Sequence, residues 1–122
     1  MASVVYDKSK VFALRIIKLY KHLNSQYNET VISKQLLRCG TSIGANITEA
    51  EYAISKKEFT MKMYIAFKEC GETLYWLDLL FGSDYITEKQ YQSIKCDCEE
   101  LMRLLSSITK TTREKLKNAN KY

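Results

Sequence analysis

Four polar side chains recur at helical spacing near the middle of the chain. Arg38, Ser42, Asn46 and Glu49 are separated by four, four and three residues, which places them on one stripe of a helix. A guanidinium, a hydroxyl, an amide and a carboxylate in this order could form a ladder of hydrogen bonds between helices or between subunits. Two other interpretations stay open: Arg38 and Asn46 could contact phosphate or base, or the stripe could be an ordinary solvated surface.

Residues suited to catalysis or metal binding are few. The only histidine, His22, has Leu19 three residues before it, so the Glu-x-x-His pattern of di-iron bundles is absent, as are HExxH and a phosphate-binding glycine loop. Cys96 and Cys98 would point about 200° apart on a helix, which makes it hard for them to chelate one metal ion. We therefore expect no catalytic residue, no metal site and no cofactor.

Basic residues give the stronger functional signal. The sequence has 19 Lys and Arg against 14 Asp and Glu, a net charge of +5. Their spacing predicts basic faces on the first and last helices, and a basic end where the second and third helices join. A solubilising role is the alternative to binding phosphates. The predicted nucleic-acid-binding residues are Lys8, Arg15, Lys18, Lys56, Lys57, Arg103, Lys110, Arg113, Lys117 and Lys121.

Helices account for most of the chain, because the sequence has no proline and only four glycines. Capping boxes that open at Ser55 and Thr87 mark the starts of the third and fourth helices. Thr30 is the expected cap of the second helix, and Gly82, which tolerates positive φ, is the expected end of the third. The predicted helices cover about residues 8–27, 31–53, 56–81 and 88–115, followed by a frayed tail.

Short connections between four such helices favour an all-α fold, an up-down-up-down antiparallel four-helix bundle that forms one domain over residues 1–122. A different pairing of the same helices is the alternative. The apolar faces predicted for the core extend to Tyr27 in the first helix and to Ile54 after the second. Gly40 and Gly44 form a small-x-x-x-small patch, which we interpret as tight packing inside the bundle.

The end of the third helix is apolar almost all round, from Leu74 to Phe81. One buried face cannot cover that much apolar surface, so we expect a homo-oligomer. The residues predicted for the contact between subunits are Leu74, Trp76, Leu79 and Leu80.

A cytoplasmic location is expected. The first ten residues lack the apolar core of a secretory signal, and no apolar run reaches the length of a membrane span. The four cysteines show no paired spacing, so we interpret them as reduced thiols.

The polar stripe also lies in a segment that resembles the bacterial 23S rRNA intervening-sequence proteins. The residues that match their R-x-x-x-S-I-x-A-N-I-x-E run and their S-x-K-E-F run are Arg38, Ser42, Ile43, Ala45, Asn46, Ile47 and Glu49, then Ser55, Lys57, Glu58 and Phe59. Ala50 stands where many relatives have glycine. The resemblance implies a four-helix bundle that is encoded within insertions in large-subunit rRNA genes. It also implies a link to the proteins that accompany the reverse transcriptase of diversity-generating retroelements, which form homopentameric rings and bind nucleic acid.

Together these observations predict a non-enzymatic, homo-oligomeric bundle, a pentamer by the resemblance, that binds RNA or DNA backbone without strong sequence preference. A ring would repeat each basic surface and multiply the phosphate contacts. The alternative is a protein-interaction scaffold that docks a ribosomal component or a reverse transcriptase.

Overall fold

The computed structural model describes residues 3–119, which form four helices: α1 (Ser3–Tyr27), α2 (Val31–Glu51), α3 (Lys56–Gly82) and α4 (Glu88–Ala119). No strand occurs in this range, so the predicted all-α class is confirmed. α1 begins earlier than the expected start near Lys8, and α4 continues beyond Lys115, where fraying was expected. Neither extension contains a glycine or a proline, and the first one buries Val5 in the core.

The predicted capping box at Thr87 forms completely, whereas only one of the two predicted bonds forms at Ser55. Ser55 Oγ accepts the Glu58 N–H at 3.1 Å, and Thr87 Oγ1 accepts the Gln90 N–H at 3.2 Å. Gln90 Oε1 accepts the Thr87 N–H in return at 2.9 Å. Glu58 instead reaches one residue further and accepts the N–H of Ile54 at 2.8 Å. The starts of α3 and α4 are therefore fixed by local side-chain hydrogen bonds.

The prediction that Thr30 caps α2 is wrong, because its side chain makes no capping hydrogen bond. The carboxylate of Glu29 does so instead. It accepts the backbone N–H groups of Val31, Ile32 and Ser33 at 3.1, 3.1 and 2.7 Å. This satisfies three of the four N–H groups that a helix start leaves unpaired, and places a negative charge at the positive end of the helix dipole.

α3 ends at Gly82, but the positive φ expected of this glycine is wrong. No described glycine has a positive φ, and Asp84 adopts the left-handed conformation with φ 68°. The Tyr85 N–H donates to Leu80 O at 2.9 Å and the Asp84 N–H to Phe81 O at 3.1 Å, the two bonds of a Schellman ending. Aspartate tolerates this conformation, so glycine was not required.

Each helix contributes one buried apolar stripe to a shared core. Two expected core residues lie outside it. Tyr27, the last residue of α1, is half exposed, and Ile54 is 93% exposed because α2 ends at Glu51. Leu80, predicted for a contact between subunits, is fully buried here and is not available to a second copy. The largest fully buried apolar side chains are Phe12, Ile16, Leu23, Leu36, Ile43, Ile47, Met63, Leu77, Leu80, Leu101 and Leu105.

α2 packs against α1 and α3, and α4 packs mainly against α3, with a smaller contact to α1. Gly40 and Gly44 of α2 lie against Ile16 and Ser9 of α1, so the small-residue patch serves packing within the chain, as predicted. The residues run in opposite order along the two helices. The same reversal holds for Arg38–Glu72 and Glu49–Lys62 between α2 and α3, and for Tyr64–Arg113 and Asp78–Tyr91 between α3 and α4.

Across residues 3–119, no helix is both long enough and apolar enough to span a membrane.

Candidate nucleic-acid interface

Basic side chains line the exposed face of α4 along its second half. Arg103, Lys110, Arg113 and Lys117, here called the basic row, are all exposed and are separated by seven, three and four residues. At about 1.5 Å per residue the row extends over about 21 Å. In the described part of the chain no carboxylate lies within 4.0 Å of their charged nitrogens. Their charge is therefore not neutralised by direct ion pairs.

An aromatic pair on α3 adjoins the basic row. The rings of Tyr64 and Phe67 are stacked, with centroids 5.9 Å apart and planes 24° from parallel. Arg113 reaches across from α4, and its guanidinium carbon lies 4.7 Å from the centre of the Tyr64 ring. Two cavities, of about 380 Å³ and about 480 Å³, adjoin along this boundary and share Phe67, Ser106 and Lys110 as walls. We call this feature the α3–α4 groove.

The predicted basic residues of α1 face a different side of α4. Lys8 Nζ lies 3.2 Å from Glu100, and Arg15 forms an ion pair with Asp97 at 2.8 Å and donates to Ser93 Oγ at 2.7 Å. These contacts hold α1 to α4 and offset the charge of both cations. The structure therefore does not join them to the basic row.

A third cavity, of about 300 Å³, lies between α1 and α4, and none of the residues of the basic row lines it. Lys18, Arg15 and His22 line it over a floor that includes Leu19 and Ile94. His22 is exposed, and its ring meets that of Tyr27 edge-on with centroids 6.0 Å apart.

The predicted lysines at the start of α3 lie near the end of α4. Lys56 and Lys115 line one cavity of about 660 Å³, and Lys57 is exposed beside it. The α2–α3 connection and the C-terminal part of α4 thus share an end of the molecule. Lys121, also predicted for this site, lies outside the described residues.

The polar stripe of α2 bonds to α3 only at its two ends. Arg38 forms ion pairs with Glu72 and, at 3.5 Å, with Glu69, while Glu49 pairs with Lys62 at 2.8 Å. The two central residues bond to their own helix. Ser42 Oγ donates to Arg38 O at 2.6 Å, and Asn46 Nδ2 donates to Ser42 O at 2.9 Å.

The two acidic partners of Arg38 have opposite pKa shifts. Trp76 Nε1 donates to Glu72 at 3.0 Å, and this bond, together with the Arg38 bond, lowers the pKa of Glu72. Burial raises the pKa of Glu69 despite the nearby guanidinium. Burial also raises the pKa of Cys39 to about 11, although the Thr73 hydroxyl donates to its sulfur at 3.3 Å. A thiol with a raised pKa is a poor nucleophile, so Cys39 fills space between α2 and α3.

Within residues 3–119, no three His, Cys, Asp or Glu side chains lie close enough together to hold a metal ion. The four cysteines are free thiols, and only Cys96 among them is exposed.

A family model for the 23S rRNA-intervening sequence protein matches residues 1–107. The chain belongs to this family. A crystal structure at 1.70 Å resolution shows a relative from Bacteroides thetaiotaomicron VPI-5482, a protein with unknown function from the S23 ribosomal protein family. This family member is 56% identical to it over 87% of its own chain and 98% of the relative's, with a TM-score of 0.86. No curated protein gave a significant match.

The sequence did not reveal the aromatic side of the candidate interface in this 23S rRNA-intervening sequence family member. Tyr64 and Phe67 are three residues apart, so the sequence does place them on neighbouring positions of one helix face. Neither aromatic residue is among the predicted nucleic-acid-binding residues. The position of Arg113 over Tyr64 depends on how α3 and α4 are rotated against each other, which neither helix encodes alone.

Proposed function

We propose that this protein is a non-enzymatic homo-oligomer, built as an up-down-up-down antiparallel four-helix bundle, that binds RNA or DNA backbone through the basic row of α4. The reversed order of contacts between neighbouring helices supports the topology. The observation that carries the binding proposal is the row itself, four exposed cations that have no direct acidic partner among residues 3–119. Such charges release counterions from a phosphate backbone and bind it with little regard to sequence.

Family membership supports a ribosomal RNA context for this binding. The resemblance to the retroelement proteins supports a homopentamer, in which five copies of the basic row would contact one nucleic acid and raise its avidity. The free thiols are compatible with a cytoplasmic location, where such a protein would meet RNA.

The test is a charge-matched pair of triple variants. Arg103, Lys110 and Lys117 are changed to Gln in the first variant, and Lys21, Lys34 and Lys89 in the second. All six are exposed, and the second set lies at the beginning of α2 and α4 and near the end of α1. Each variant therefore loses the same charge, but only the first loses the basic row. Arg113 is kept because it packs on Tyr64.

Binding to RNA and DNA is measured by fluorescence anisotropy across a series of salt concentrations. For the first variant, the slope of log K against log salt should shrink by up to about 0.7–0.9 for each lost phosphate contact, similarly for unrelated sequences. The second variant should keep a slope close to that of the parent. If the slope shrinks equally in both variants, or stays unchanged in the first, the basic row only makes the protein soluble and does not bind phosphates.

The second candidate function is a protein-interaction scaffold for a ribosomal component or a reverse transcriptase. The connection between α2 and α3 favours it, because Tyr52 and Ile54 are largely exposed there beside the cavity of about 660 Å³. Exposed apolar groups of this kind are typical of protein contacts. A partner that remains bound after nuclease treatment, and is lost in Ile54→Ser, would favour the scaffold over nucleic-acid binding.

A further inference from the structure

The α3–α4 groove combines two features that backbone binding alone does not require. Its walls carry the cations of Arg103, Lys110 and Arg113, and its floor carries the aromatic rings of Tyr64 and Phe67. Phosphates need only the cations. Bases need flat, exposed rings, because stacking on aromatic side chains holds them without hydrogen-bond readout.

Tyr64 presents such a ring. It is 39% exposed, and Phe67 supports it from within α3. The guanidinium of Arg113 covers the ring at 4.7 Å, so this face already accommodates a flat, positively charged group. At an exposed site a cation–π contact of this kind is weak, which allows a nucleobase to replace it.

The length of the groove suits a short stretch of one strand. Arg103 and Arg113 are ten residues apart on α4, which is about 15 Å of helix. A stacked strand advances about 3.4 Å per nucleotide, so the groove is long enough for about four nucleotides. Among the residues that line the two cavities, Glu114 is the only one with a carboxylate, so the lining carries a net positive charge.

We propose that the α3–α4 groove binds single-stranded nucleic acid, with one base stacked on Tyr64 and the neighbouring phosphates bound by Arg103, Lys110 and the displaced Arg113. The inference rests on the proposed function and narrows its substrate class. A duplex keeps its bases paired and stacked inside the helix, so it can offer the groove only its phosphates. Single strands should therefore bind more tightly than duplexes of equal length.

Three fluorescent probes of about 12 nucleotides separate stacking from charge: a single-stranded oligouridylate, an abasic strand with the same phosphates, and an RNA duplex. The protein variants are Tyr64→Leu, which removes the ring and keeps an apolar side chain, and Tyr64→Phe, which keeps the ring. Tyr52→Leu is the matched control, because Tyr52 is also an exposed tyrosine but lies just after α2 and does not line the groove. Thermal unfolding checks that each variant folds as the parent does.

We expect the parent to bind oligouridylate at least about fivefold more tightly than the abasic strand, and more tightly than the duplex. Tyr64→Leu should abolish the preference over the abasic strand and leave the salt slope unchanged. Tyr64→Phe and Tyr52→Leu should behave as the parent does. Equal binding of abasic and base-containing strands by the parent, or an unchanged preference in Tyr64→Leu, would overturn the stacking proposal.

The outcome also separates this inference from the proposed function. If the triple variant of the basic row loses its salt slope while Tyr64→Leu keeps every affinity, backbone binding stands and base stacking is wrong. If the folded parent binds none of the three probes, both are wrong.

Discussion

Gly40 of α2 lies so close to Ile16 of α1 that a Cβ atom built on it would stand 2.9 Å from Ile16 Cγ1 and 3.0 Å from Cγ2. Ile16 is fully buried, so its side chain has no free space into which it could move. The distance between α1 and α2 at this level is therefore set by the absence of a side chain at position 40.

We expect Gly40→Ala to lower the free energy of unfolding by about 1–2 kcal/mol, because overpacking outweighs the gain of up to about 1 kcal/mol that alanine brings to a helix. Gly71→Ala is the control. A Cβ on Gly71 meets nothing within 4 Å, so this variant should be as stable as the parent or more stable. Urea unfolding followed by circular dichroism measures both. A Gly40→Ala protein more stable than the parent would show that α1 can shift to accept a methyl group.

A second prediction concerns the start of α2. Glu29→Ala should lower stability by about 0.5–2 kcal/mol, because three backbone N–H groups lose their acceptor. Thr30→Ala should change stability by less than about 0.5 kcal/mol, since its side chain makes no capping bond. The reverse ranking in thermal or urea unfolding would assign the cap to Thr30 after all.

The ends of the helices show what the sequence could and could not predict. The capping boxes at Ser55 and Thr87 were found because their hydrogen bonds are local and their residue types are specific. Glu29 was missed because glutamate is not among the usual capping residues. Ile54 was assigned to the core because its spacing fits the apolar face of α2, but periodicity does not show where a helix ends.

The candidate site was likewise predictable only in part. The basic row could be predicted from spacing along α4 alone. Its separation from Lys8 and Arg15 could not, because those residues are engaged by Glu100 and Asp97, and the register between α1 and α4 decides which charges meet. The contact of Arg113 with Tyr64 likewise depends on the packing of two helices.

A third prediction concerns stability in acid. Hydrogen bonds from Trp76 and Arg38 lower the folded-state pKa of Glu72 below its ordinary value of 4.5. The stability that ionised Glu72 contributes is present above its unfolded-state pKa and is lost as the pH falls through its lower folded-state pKa. Glu72→Gln should therefore lose less stability than the parent between about pH 6 and about pH 3.

The control for this experiment is Glu114→Gln, which removes the same charge from an exposed carboxylate that receives no side-chain hydrogen bond within residues 3–119. Between about pH 6 and about pH 3, this variant should lose as much stability as the parent does. Glu69 acts in the opposite sense, because burial raises its pKa, but it is present in all three proteins. Urea unfolding at each pH measures the effect, and parallel curves for Glu72→Gln and the parent would contradict it.

The last prediction concerns the proposed contact between subunits. Two of the residues on the apolar part of α3 remain open to a partner: Tyr75 is 55% exposed and Leu79 is 37% exposed. Trp76 is less suitable for a test, because its indole N–H bonds to Glu72, and a glutamate in its place would stand beside the Glu72 carboxylate within the same chain.

We therefore expect Leu79→Glu to dissociate the oligomer while the helical content stays unchanged, because an interface would have to bury a charge without a partner. Val11→Glu is the matched control. Val11 is an exposed apolar residue on α1, away from this part of α3, so the variant should keep the parent's mass. Light scattering at micromolar concentration gives the mass of each protein. If the parent is itself a monomer, the homo-oligomer is wrong; if Leu79→Glu keeps the full mass while Val11→Glu loses it, the subunits meet through α1 instead of α3.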